Sequence, residues 1–159
     1  MSKTVFILGA GASISHSKGS FPSYNDFFTK AKNHNLIWNK NSGAVLKKYK
    51  DISDYILCAM KVNILDEKNE IDIERLMTFI DIEIENAEDK EIYQIYRKSL
   101  LEIIYKLFNK LSTQYKVERG GYNDFVDKIK DDDTVITFNW DLLLDRIIKQ
   151  KEQYKRQRV

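Results

Sequence analysis

The chain has 159 residues, 43% of them hydrophobic and 31% charged, and a formal net charge of +2. That size and balance describe one folded domain and argue against a disordered segment or a strongly basic nucleic-acid binder. A single cysteine, Cys58, excludes an intrachain disulfide framework and a zinc site of paired cysteines, which fits a reducing, cytoplasmic setting.

In chain order, Val5 to Leu8 form a short apolar run between Lys3 and Gly9, the pattern of a parallel strand buried on both faces. The opening "MSKTVFILGAGAS" breaks at glycine with no cleavage region, and no apolar run approaches a membrane span, so neither a signal peptide nor an anchor is expected. Gly9, Gly11, Ser13, Ser15, Ser17, Gly19 and Ser20 then read as a long loop ending at Pro22, the only proline. Ser23 is placed to cap a helix through "YNDFFTKAKN".

The middle reads as three helices: "AVLKKYKDISDYILCAM", "EIDIERLMTFIDIEIENA" and "EIYQIYRKSLLEIIYKLFNKLSTQY". In the third, Ile92, Ile95, Tyr96, Leu100, Ile103, Ile104, Leu107, Phe108 and Leu111 recur at steps of about three and four residues, defining one broad apolar face and a core helix. Gly120 and Gly121 mark a turn before a short helix "YNDFVDKIK". Thr134 to Phe138 are β-branched or aromatic and predict a second strand, with Asn139 and Asp141 at its carboxyl end. Asp141 can cap the closing helix "LLLDRIIKQKEQYK", and the basic tail that follows reads as a solvated helix end rather than a phosphate-binding arm.

"GAGAS" after a strand lets backbone N–H groups face a ligand, phosphate being the usual guest, although the same sequence also suits a tight turn that binds nothing. It is only part of a dinucleotide fingerprint, because Ile14 stands at the third glycine position, and it lacks the lysine of a P-loop. In open α/β sheets ligands lie beyond the carboxyl ends of parallel strands, so Gly9–Ser13 and Asn139–Asp141 are expected on one rim.

Taken together, "GAGAS", "KGSFPSYNDF" and "TFNWD" resemble the sirtuin (silent information regulator two) superfamily, whose motifs are Gly-Ala-Gly-x-Ser and Thr-Gln-Asn-x-Asp. The closer likeness is to the sirtuin-like domains of bacterial anti-phage defence proteins, which hydrolyse NAD to nicotinamide and ADP-ribose. "IDIERLMTFID" is similar to a helix common in that group. The resemblance implies a single α/β domain over residues 1–159, with a Rossmann-like parallel sheet, incomplete here, and a large helical insertion at about 43–130 between the first strand and the "TFNWD" strand.

Carried over by position, the resemblance makes Gly9, Ala10, Gly11, Ala12 and Ser13 the cradle of the NAD diphosphate and adds Pro22 to the cofactor-binding set. It makes Asn139 the catalytic residue that holds the nicotinamide ribose and the attacking water, and Asp141 the residue that recognises the carboxamide. A fixed amide gains most where departure of nicotinamide leaves an oxocarbenium-like ribose. Read from the residues alone, Asn139 is also a strand-end turn residue, Asp141 a helix cap, and Ser13 a cap, a phosphate ligand or both.

The sequence departs from the pattern in three places. The family's basic histidine, in a Lys-Leu-His-Gly-Ser run after the second motif, has no counterpart; His16 reads as a mobile loop residue and His34 as a helix-end or surface residue. Phe138 replaces the sirtuin glutamine, and Trp140 replaces the tyrosine of the defence relatives and reads as core. The replaced glutamine and the absent histidine and zinc cysteines argue against protein deacetylation. The expectation is therefore an NAD-binding N-terminal part of an NAD hydrolase, inactive alone, without a metal, and completed by a further segment or by self-association. A non-catalytic sensor of NAD or ADP-ribose and a helical oligomerisation domain are the alternatives.

Overall fold

A computed structural model describes residues 3–115 and 120–156. The chain is an α/β protein in which two short strands, Val5–Leu8 (β1) and Thr134–Thr137 (β4), pair in parallel with Val5 opposite Thr134 and Leu8 opposite Thr137. Between them run α1 (Ala10–His16), α2 (Phe27–Asn33), an antiparallel pair β2 (Trp38–Asn39) and β3 (Ala44–Val45), α3 (Lys50–Met60), α4 (Ile73–Asn86), α5 (Lys90–Gln114) and α6 (Gly121–Lys128). Helix α7 (Leu143–Arg156) follows β4. No helix among the described residues is long and apolar enough to cross a membrane. The chain forms two compact units: one joins Met1–Ser23 to Lys110–Val159, and the other is Tyr24–Asn109.

In the first unit, Thr134 N–H donates to Thr4 O (2.9 Å) and Phe138 N–H to Leu8 O (3.1 Å), extending the ladder at both ends. Asp133 closes the lower end by accepting from Thr4 N (3.1 Å) and Lys130 N (3.0 Å). The expectation that β1 is buried on both faces is corrected. Val5 is 58% and Ile7 68% exposed, because the face they share with Ile136 is not covered. The serine- and glycine-rich stretch read as a loop to Pro22 is corrected in its first part, while residues 17–22 carry no helix or strand. Residues 10–16 are helical, and the penalty for a mid-helix serine is offset where Ser13 finds a buried tertiary partner.

In the second unit, helix α2 starts at Phe27 rather than after Ser23, since Tyr24–Asp26 form a turn. The helix expected from Ala44 starts only at Lys50. Gly43, at φ +67°, donates to Asn39 O (2.9 Å) and turns the chain into the β2–β3 hairpin, and a 3-10 turn at Lys47–Tyr49 leads into α3. Helix α4 is capped by Asp72, whose Oδ1 accepts from Arg75 N (2.9 Å), and buries Ile73, Leu76 and Ile80 along one face. In the part of α5 that belongs to this unit the buried face comprises Leu100, Ile103, Ile104 and Leu107. Ile92 and Ile95 are exposed, so the apolar face is shorter than its periodicity suggested. The first turns of α5 instead place Tyr93 and Tyr96 against Tyr55, which stacks on Tyr96 at 4.7 Å.

Candidate functional site

The first unit assembles a buried polar cluster from three of its elements. Gly9 precedes α1 with extended backbone (φ −116°, ψ −179°) and no side-chain cap, and its carbonyl accepts from Ala12 N (3.0 Å). Ser13 and His16, three residues apart on α1, share its buried face. Tyr122 comes from the first turn of α6, and Asn139 from the carboxyl end of β4.

Ser13 Oγ and Tyr122 Oη are hydrogen-bonded at 2.8 Å. Asn139 Nδ2 donates to both hydroxyls, at 2.9 Å to Ser13 Oγ and 3.2 Å to Tyr122 Oη. The Asn139 Oδ1 is buried and has no partner. A buried carbonyl without a donor carries a desolvation cost of about 1–3 kcal/mol, which an arriving hydroxyl or amide relieves.

His16 supports this triangle from behind. Its Nδ1 accepts from Tyr122 N (3.2 Å), its ring lies 5.0 Å from the tyrosine ring, and its carbonyl accepts from Tyr115 Oη (2.7 Å). An Nδ1 that accepts from a backbone N–H carries no proton, so the imidazole is neutral with the proton on Nε2, an atom that is buried without a partner. Burial lowers the His16 pKa and raises that of the Tyr122 phenol. Gly120 makes the approach possible: a Cβ there would stand 2.9 Å from His16 Nδ1.

The sequence-derived residues fall in different settings. Gly9, Ala10 and Gly11 are exposed and Ala12 is half-buried, and a Cβ on either glycine would meet nothing within 4 Å. Ser13 is not a helix cap, since it lies within α1 and bonds across the unit. Pro22 is buried after Phe21, whose N–H donates to Ser17 Oγ (3.1 Å). Asp141 is buried, and its Oδ1 accepts from Leu143 N (2.9 Å) at the start of α7, as its capping role anticipated. Its charge adds to the upward shift of Tyr122. Trp140 is 42% and Phe138 73% exposed, correcting the expectation that Trp140 is core.

His16, read as a mobile loop residue, is 4% exposed and ends α1. Tyr122 was missed as a site residue. Its only signal is its position directly after the glycine pair, and the bond to Ser13 spans 109 residues. A separate cleft of about 420 Å³ between α6 and α7, lined by Asp124, Asp127, Ile147 and Lys151 among others, shares none of the cluster's residues. Among the described residues no group of three or more His, Cys, Asp or Glu is arranged to hold a metal ion.

Comparison of the chain with protein-family models, with curated proteins and with solved structures finds no match.

Proposed function

We propose that the chain is the NAD-binding part of a sirtuin-like NAD hydrolase of the kind that serves bacterial anti-phage defence, built on a Rossmann-like sheet and working in the cytoplasm. The observation that carries this reading is the 2.9 Å bond from Asn139 Nδ2 to Ser13 Oγ across 126 residues of chain. It joins "GAGAS" to "TFNWD" at the carboxyl ends of two parallel strands, where α/β sheets take their ligands.

The open side of Gly9 and Gly11 agrees with this reading. Nothing in the protein requires glycine at either position, and a diphosphate approaching the backbone would. Asn139 supplies the fixed amide for a ribose hydroxyl or the attacking water, through the carbonyl oxygen that has no partner. Asp141, oriented by its bond to Leu143 N, is the acceptor for the carboxamide of the substrate. The hydrolytic step calls for a general base near neutral pH. His16 Nδ1 is committed to Tyr122 N, so we assign the base to a histidine outside these residues, supplied by a further segment or a second subunit. The isolated chain then binds NAD or ADP-ribose and turns over little or none.

The test is a thermal melt with millimolar NAD or ADP-ribose, repeated on Asn139→Ala. Both ligands should raise the wild-type midpoint, and the variant should lose most of the rise. A folded wild-type chain whose midpoint neither ligand moves would overturn the nucleotide reading. A pure sensor is the second reading, favoured by the commitment of His16 to structure. It predicts no nicotinamide release even when a histidine-bearing segment is restored.

A further inference from the structure

An asparagine amide is nearly symmetric in shape, so something must decide which end faces the cluster. Two orientations differ by a half-turn, and the protons available from Ser13 and Tyr122 discriminate between them. With NH2 inward, its two protons go to the two hydroxyl oxygens while one hydroxyl donates to the other, making three bonds. With the carbonyl inward, the two hydroxyls have two protons between them and one is already spent on their mutual bond. Only one bond to the amide remains, and two buried N–H donors lose their partners. The inward NH2 therefore wins, but only because two hydroxyls are present and bonded to each other. A single hydroxyl would donate to the carbonyl as readily as accept from the NH2.

We propose that Tyr122 is a positioning residue: its hydroxyl, paired with Ser13, locks the Asn139 carboxamide so that the carbonyl oxygen is the acceptor kept for the ligand. Tyr122 is itself held in place by its N–H on His16 Nδ1 and by the approach that Gly120 permits. The locked cluster keeps one unspent acceptor, Asn139 Oδ1, and one unspent hydroxyl proton. That pair complements an alcohol, which both donates and accepts. The identity of the ligand rests on the nucleotide reading above, whereas the lock does not.

The experiment uses the full chain, labelled with 15N, as wild type, Tyr122→Phe and Ser13→Ala. It reads solvent exchange of the Asn139 side-chain NH2 by NMR and affinity for ADP-ribose by calorimetry. Tyr122→Phe keeps the ring against His16 and the backbone bond, so a dispersed spectrum is expected from a folded variant. The Asn139 NH2 protons should exchange at least about tenfold faster and ADP-ribose should bind about tenfold more weakly, with Ser13→Ala behaving alike. Unchanged exchange in both variants overturns the proposal, and if affinity still falls, Tyr122 touches the ligand directly instead. Faster exchange in variants of a chain that binds no ADP-ribose supports the lock and removes the nucleotide reading.

Discussion

His16 couples two helices through one ring nitrogen, and that makes it sensitive to acid. Protonating Nδ1 would set a donor against Tyr122 N–H, and burial already lowers the folded-state pKa below the ordinary 6.5. The unfolded chain takes up the proton at its ordinary value while the folded chain resists it. The stability that neutral His16 contributes is therefore complete above 6.5 and is lost as pH falls from there through the folded-state value. Urea midpoints measured on either side of 6.5 should fall toward acid, and His16→Asn, which keeps an acceptor but does not titrate, should lose part of that slope. Gly120→Ala should cost about 1–3 kcal/mol through overpacking against the imidazole, and less in a His16→Ala background. A penalty unchanged by the second substitution would mean that the strain lies elsewhere. None of this was legible beforehand. His16 sits among serines and glycines that read as loop, and burial of its ring depends on Tyr115 and Tyr122, about a hundred residues away.

Among the elements, those with strong local signals appear where the sequence placed them. The helix read in "EIDIERLMTFIDIEIENA" forms as α4, starting at Ile73 rather than Glu70 because Asp72 caps it there. Asp72→Ala should lower stability by about 1 kcal/mol, read from a thermal melt, because Arg75 N loses its acceptor. Strand β4 is likewise where Thr134 to Phe138 predicted it, less its last residue. Burial was less legible than type. The apolar run Val5–Leu8 suggests two covered faces, but coverage is a property of neighbouring layers, which a four-residue pattern cannot specify. The 3-10 turn is tied to α5 by Lys48 and Tyr49, both bonded to Glu102. The Lys106 and Lys48 ammonium groups hold the Glu102 carboxyl down to about 2. These side chains are well exposed, so Glu102→Gln should cost no more than about 1 kcal/mol above 4.5 and less as pH falls toward 2.

At the scale of the whole molecule, the two units divide the buried chemistry unevenly. All four buried polar residues among those described, Ser13, His16, Ser17 and Asp141, lie in the first unit, while most of the buried apolar side chains lie in Tyr24–Asn109. A fragment Tyr24–Asn109 should accordingly give helical circular dichroism and a cooperative melt by itself. A flat, non-cooperative melt would show that its core needs the rest of the chain. The pairing of β1 with β4 also sets a schedule during synthesis. Val5 meets Thr134 only after the intervening 128 residues have been made, which at about 5–20 residues per second is a wait of roughly 6–26 s. Helices with local contacts fold in microseconds to milliseconds, so the second unit can be complete while β1 is still an unpaired apolar strand. Val5–Leu8 is thus open to other strands throughout that interval, a window in which chaperone capture or misassembly would act on the strand that leads into the Gly9–Ser13 half of the site.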